Sequence, residues 1–197
     1  NGDGKLDLAV ANFASNSISI LLNTTAPGSL TPTFAGRQNF AAGLGPLFAA
    51  VGDVNSDGKL DLAVVDVLTN TLSVLLNTTA PGAAAANFGA RQEFATELGP
   101  NCVKMGDLNG DGKIDIAVTN FNTGTITILL NTTNPNAAQA TFGDIQELTI
   151  DGGPAFISLG DLNSDGKLDI VTANADIGTV SVALNFTAPG STTVDFG

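Results

Sequence analysis

The strongest constraint on this chain is that it repeats itself every 54 residues. GDVNSDGKLDLAVV starts at Gly52, GDLNGDGKIDIAVT at Gly106 and GDLNSDGKLDIVTA at Gly160. The opening NGDGKLDLAVA enters the same unit late, with Asp3 in the place of Asp57. Asn23, Asn77, Asn131 and Asn185 each close an aliphatic run in the same phase, and Phe34, Phe88, Phe142 and Phe196 follow in step. A register held over 197 residues without insertion describes a tandem array, not domains joined by linkers. The units run 1–47, 48–101, 102–155 and 156–197, about 3.65 repeats with the first and last incomplete.

Within a unit the hydrophobic period is two, the signature of half-buried strands. In the second unit a strand is expected near Phe48–Gly52, entered through the Gly45-Pro46 turn. A polar loop, Asp53–Asp61, leads to the short run Leu62–Val65. A turn around Asp66–Asn70 leads to Thr71–Leu76, and a looser Thr/Ala/Pro/Gly stretch precedes a fourth candidate at Phe88–Phe94. No segment has helical periodicity. Four short strands joined by tight turns make an antiparallel meander, and units of this length stack radially as β-propeller blades. The fold class expected is all-β, with four-stranded propeller blades; an open linear stack of small sheets is the alternative.

Composition narrows the chemistry. The chain has 7 basic and 19 acidic side chains, no His, no Trp, no Tyr and one Cys. A net charge of −12 offers no cationic footprint for nucleic acid. Without His there is no Ser-His-Asp or Cys-His nucleophile and no His-ligated transition metal. A lone cysteine excludes an intrachain disulfide framework. No apolar run approaches the ~20 residues of a membrane span, so membrane insertion is not expected.

The acids have an address. Eleven of the 19 (Asp3, Asp7, Asp53, Asp57, Asp61, Asp107, Asp111, Asp115, Asp161, Asp165 and Asp169) fall in the repeated loop. Each full loop reads D-x-N-x-D-G-x-x-D, and its carboxylates would repel one another if left uncompensated. Oxygen-only donors at alternate positions around a turn-forming Gly are what a hard divalent cation requires, Ca2+ before Mg2+. An EF-hand is excluded, because its twelfth position, a bidentate Glu, is here Val64, Val118 or Thr172. A carboxylate stands instead at position nine, just before a strand. A metal-free turn rich in Asx residues is the competing reading.

The loop followed by L-x-V, with Phe88-Gly89, Phe142-Gly143 and Phe196-Gly197, resembles the FG-GAP/VCBS repeat over the whole chain. That family forms the blades of integrin-α-type propellers and of many secreted bacterial proteins. The resemblance implies calcium held by side chains at loop positions 1, 3, 5 and 9 and by the carbonyl at position 7. The implied ligand sets are Asp53, Asn55, Asp57, Lys59 and Asp61; Asp107, Asn109, Asp111, Lys113 and Asp115; and Asp161, Asn163, Asp165, Lys167 and Asp169. The first unit, with Asn1, Asp3, Lys5 and Asp7, lacks the leading Asp and is a partial site, and Ala35 breaks its Phe-Gly pair. The resemblance also implies an extracellular or cell-surface location and a piece of a larger, seven-bladed propeller, or else a unit that assembles end to end.

Smaller signals are read against plainer ones. Cys102 fills the slot of Phe48 and Phe156, which suits apolar packing better than a reactive thiol. Lys5, Lys59, Lys113 and Lys167 follow the loop Gly and are expected to face solvent. Asn23, Asn77, Asn131 and Asn185 satisfy the N-x-[ST] sequon, but Asn and Thr also cap turns, and the turn role is preferred. The turns at Phe13–Asn16, Val67–Asn70, Phe121–Gly124 and Ala175–Gly178 vary most and are where a ligand would be read. The function expected is a non-catalytic, calcium-binding structural or adhesion module with protein or polysaccharide partners. A filament subunit joined through open edge strands and the propeller part of a polysaccharide-degrading enzyme are the alternatives.

Overall fold

The computed structural model describes residues 1–197 and holds 14 strands in four open antiparallel sheets. The first sheet comprises β1 (Leu8–Asn12), β2 (Ser17–Leu21) and β3 (Gln38–Ala41). The second is β4 (Pro46–Gly52), β5 (Asp61–Asp66), β6 (Thr71–Leu75) and β7 (Gln92–Ala95). The third is β8 (Pro100–Gly106), β9 (Asp115–Asn120), β10 (Thr125–Leu129) and β11 (Gln146–Thr149). The fourth is β12 (Pro154–Gly160), β13 (Asp169–Asn174) and β14 (Thr179–Ala183). Each is an up-and-down meander, and the one helical piece is a 3-10 turn at Phe13–Ser15.

Two boundaries differ from the sequence reading by two residues or more, the others by one at most. The first strand of the second sheet starts at Pro46, with a register irregularity between Pro46 and Phe48 where the proline cannot donate. The fourth strand is Gln92–Ala95, not Phe88–Phe94. Phe88 forms only an isolated bridge to Asn77, because Thr79 and Asn87 bond to each other and hold the Pro81-Gly82 loop as a closed turn.

Alternation decides the packing. Along β5, β6 and the residue that follows it, Leu62, Val64 and Leu75 face one way and Ala63, Val65, Leu72, Val74 and Leu76 the other. The first set packs on Ile18, Ile20 and Leu22 of the first sheet. The second set packs on Val103, Ile116, Val118 and Leu129 of the third. The third sheet repeats the arrangement, with Ala117, Ile126, Ile128 and Leu130 against Ile157, Ile170 and Ala183 of the fourth. Each sheet thus lays one face on the opposite face of the next, and the core is a set of three like joints. Each buried Leu or Ile contributes about 1.5–3 kcal/mol to a joint. Edge-to-face rings, Phe40 on Phe88 and Phe94 on Phe142, both with centroids 4.9 Å apart, brace the first two joints.

The first strands lie closest together. Phe48 and Phe156 meet at 5.8 Å across the third sheet's strand, with the Lys104 ammonium 5.7 and 5.4 Å from their ring centres. Cys102, in the same slot, is buried, and burial pushes its thiol pKa up, as suits a packing residue. The tight turns between second and third strands need a left-handed residue, supplied by Asn16, Asn70, Gly124 and Gly178.

Candidate metal centre

The register places every acidic loop at one end of its sheet, between Gly52 and Asp61 and their equivalents. Two left-handed positions bend it: the fourth residue (Ser56, Gly110, Ser164) and the glycine at the sixth (Gly58, Gly112, Gly166). The bend turns backbone N–H groups inward. In the second sheet Asp53 accepts from Asp57 N–H at 3.1 Å and from Gly58 N–H at 2.8 Å. Asp107 accepts from Asp111 and Gly112, and Asp161 from Asp165 and Gly166, in the same way. At position five, Asp57, Asp111 and Asp165 each accept from the N–H of the Lys two residues on.

Position nine is the anchor. Asp61 is fully buried and accepts on both oxygens, from Val54 N–H at 2.8 Å and Asn77 N–H at 2.7 Å. Asp115 does the same with Leu108 and Asn131, and Asp169 with Leu162 and Asn185. Burial raises the pKa of Asp61 to about 6 against those two bonds, and the Asp57 and Asp53 charges add to the rise. Asp115 is raised to about 6 for the same reasons, with Asp111 and Asp107 as neighbours. Such carboxylates lack a compensating positive charge.

The lysines are not all free. Lys59 Nζ pairs with Asp57 Oδ2 at 3.0 Å, whereas Lys5, Lys113 and Lys167 form no ion pair. In the partial first loop, Asp3 accepts from Lys5 N–H, and Asp7 accepts from Asn23 N–H and from the Asn1 ammonium at 2.9 Å.

The loops do not gather three carboxylates into one cage, and the leading acids turn to backbone N–H groups. The donor set nevertheless suits a hard cation. Its side-chain donors are all oxygens, and Asn55 Oδ1 at position three is buried with no hydrogen-bond partner. Asn109 and Asn163 offer the same oxygen, each sharing it with the N–H two residues on.

The other half of Asn55 reveals a role that periodicity alone did not assign. Its Nδ2 donates to Ala137 O at 2.9 Å and its main-chain carbonyl accepts from Asn136 N–H at 2.7 Å, clasping the turn of the following sheet. Asn1 clasps Gly82 and Ala83, and Asn109 clasps Gly190 and Ser191, in the same manner. A second clasp comes from Gln92, whose amide pairs with both the carbonyl and the N–H of Ala140. Gln38 and Gln146 accept from the N–H groups of Ala86 and Val194 at the same positions, and Gln146 Nε2 donates to Thr192 O. The exact 54-residue recurrence of these Gln residues was the available signal.

The sequon asparagines are absorbed by the same framework. Asn131 donates Nδ2 to Val54 O of the preceding repeat and to Ile114 O, and its Oδ1 accepts from Thr133 N–H. Asn185 repeats the pattern with Leu108, Leu168 and Thr187. Asn23 and Asn77 donate only within their own repeat, to Leu6 O and Leu60 O. The turn role is the one the geometry supports.

No curated protein shows significant similarity to this chain. The model of the FG-GAP-like repeat matches residues 1–64 and 107–172, more than half of the sequence. With the loop, the meander and the face-to-face stacking all in the same register, the chain belongs to the FG-GAP-like repeat family.

Proposed function

We propose that the chain is a calcium-stabilised, non-catalytic structural and adhesion module of a secreted or cell-surface protein. The observation that carries this reading is the buried, unpartnered Asn55 Oδ1 inside an oxygen-only loop that recurs with each repeat. Asp53, Asn55, Asp57, Asp61 and the Lys59 carbonyl would hold the ion, with the equivalent residues of the third and fourth repeats and the shorter set of the first. A bound divalent cation would supply the positive charge that the buried Asp61 and Asp115 lack. It would also fix Asn55, whose amide nitrogen clasps the next repeat, so one ion would stiffen a loop and a joint together.

Extracellular modules bind calcium with Kd of roughly 10⁻⁴–10⁻³ M. At ten times Kd each site adds about 1.4 kcal/mol, so several sites approach the total stability of a domain. The test is a melting curve in chelator against one in millimolar calcium. A rise in Tm that saturates with calcium supports the reading, and an unchanged Tm would sink it.

A further inference from the structure

We propose that Asn109-Gly110 is a self-modifying site. Asn109 converts to isoaspartate or aspartate when the joint between the third and fourth sheets opens, and the product keeps that joint loose. The inference goes beyond the calcium reading and does not depend on it. The third acidic loop has glycine after its asparagine, where the second and fourth loops have Asn55-Ser56 and Asn163-Ser164. Without a Cβ, glycine leaves its backbone nitrogen sterically open. The Gly110 nitrogen attacks Asn109 Cγ and closes a five-membered succinimide ring. The Asn109 Nδ2 leaves as ammonia, carrying the proton of the Gly110 N–H. Water, the one co-reactant, then adds to either ring carbonyl. One opening gives aspartate; the other gives isoaspartate, with the main chain rerouted through the side-chain carbon.

The fold controls when this happens. Asn109 is 6% exposed, and both ends of its amide are held. Nδ2 donates to Ser191 O at 2.9 Å, and Oδ1 accepts from Asp111 N–H at 3.2 Å. The Asn109 main-chain carbonyl accepts from Gly190 N–H at 2.7 Å. The nitrogen that must leave is therefore the one that Ser191 holds. It is freed when the Pro189–Ser191 turn of the fourth repeat lifts away, a local opening of one joint. Conversion is one-way. It replaces the Nδ2 donor with a carboxylate that only accepts, facing the Ser191 carbonyl. It also adds a negative charge beside Asp107 and Asp111 in the same loop. The clasp cannot re-form. Asn55 supplies the internal contrast, because it makes the same clasp to Asn136 and Ala137 but is followed by serine.

The test ages the 197-residue chain in chelator at mildly alkaline pH, folded and in urea, and follows tryptic peptides by mass spectrometry. Met105–Lys113 holds Asn109 as its one asparagine, and Gln38–Lys59 holds Asn55. Electron-transfer fragmentation locates the change and tells isoaspartate from aspartate. Met105–Lys113 should gain the acid in folded protein, more slowly than in urea, while Asn55 stays an amide. Gly110→Ser, the residue the fold already places at 56 and 164, should slow conversion to the rate at Asn55. Gly106→Ala, whose Cβ would press on Leu168 and Leu159 of the fourth repeat, should speed it about fivefold or more. If that variant does not fold, urea below the unfolding transition serves instead. The converted fraction, separated by anion exchange, should melt below fresh protein, as should Asn109→Asp. An unmodified Met105–Lys113 once the chain in urea has fully converted would overturn the proposal. So would equal rates at Asn55 and Asn109, equal rates in folded protein and urea, or a rate that weakening the joint leaves unchanged. A converted protein as stable as the fresh one would overturn it too.

Discussion

Asp61 and Asn77, sixteen residues apart, meet where the Asn77 N–H donates to Asp61 Oδ1 at 2.7 Å. The same bond joins Asp7 to Asn23, Asp115 to Asn131 and Asp169 to Asn185. Through it the ninth loop residue ties the acidic loop to the end of the third strand. One carboxylate is thus both a candidate ligand and the fastening of its sheet. Backbone N–H groups donating to the loop's own carboxylates hold its conformation.

Asp115→Asn tests that fastening in chelator. Both Asp115 oxygens accept buried N–H groups, from Leu108 and Asn131, and an amide offers only one acceptor. One N–H is left unsatisfied and faces an NH2 group, which costs about 1–3 kcal/mol. Urea unfolding should show this loss. Asp7→Asn, at a less buried carboxylate, should cost less.

Asp66 gives a pH dependence that needs no metal. It stands in the slot that the other repeats fill with Asn12, Asn120 and Asn174. Those amides donate to the hydroxyls of the next strand, Ser17 and Ser19, Thr125 and Thr127, and Thr179 and Ser181. Asp66 is fully buried, and burial raises its pKa above 3.8 despite a bond from Ser73 and the positive charge of the nearby Arg91. Its folded state therefore holds the proton more tightly than the unfolded chain does. The stability this contributes is present below pH ~3.8 and is lost as pH rises through the folded pKa. Asp66→Asn should remove that slope and raise stability at pH 7 by about 1 kcal/mol, the net value of a hydrogen bond gained by the amide. Unfolding free energies measured from pH 4 to 8 in chelator would show the wild-type and variant curves converging at the acid end.

The architecture was legible because alternation and a fixed period leave little freedom: Leu72 and Val74 must share a face, and the next unit must cover it. The fourth strand was misplaced because Phe88 is as apolar as a strand residue, although its neighbour Asn87 is consumed by a side-chain clamp from Thr79. The acidic loop was visible as a cluster of donors. What could not be read was that Asn55 divides its amide, the nitrogen across the joint and the oxygen left in its own loop. That division depends on how the next sheet is docked, and no local pattern encodes it.

Asn131 and Asn23 occupy the same sequon position with unequal consequences. Asn131 is 2% exposed and holds two carbonyls, one of them in the preceding repeat, while Asn23 Nδ2 holds one. Asn131→Ala should cost about 2–3 kcal/mol as buried carbonyls lose their donor, and Asn23→Ala clearly less. A glycan on Asn131 Nδ2 would displace both bonds. Intact mass after secretion from a glycosylating host should therefore show Asn131 and Asn185 unmodified.

The glycine that opens each loop separates a backbone need from a packing need. Gly52, Gly106 and Gly160 share one place in the repeat, and none has a positive φ, so alanine meets no conformational barrier. A Cβ at Gly106 would lie 2.6 Å from Leu168 Cδ1 and 3.1 Å from Leu159 Cδ1, both on the fourth repeat. At Gly52 it would lie 3.1 Å from Ile114 Cγ2 and 3.2 Å from Met105 Cε, and at Gly160 nothing comes within 4 Å. The requirement comes from the following repeat pressing on the glycine. Gly106→Ala should destabilise most, by about 1–3 kcal/mol, with Gly52→Ala below it. Gly160→Ala should be neutral or stabilising by about 0.4–1 kcal/mol, because alanine restricts the unfolded chain. Urea unfolding of the three variants would rank them, and equal losses at all three positions would refute the packing explanation.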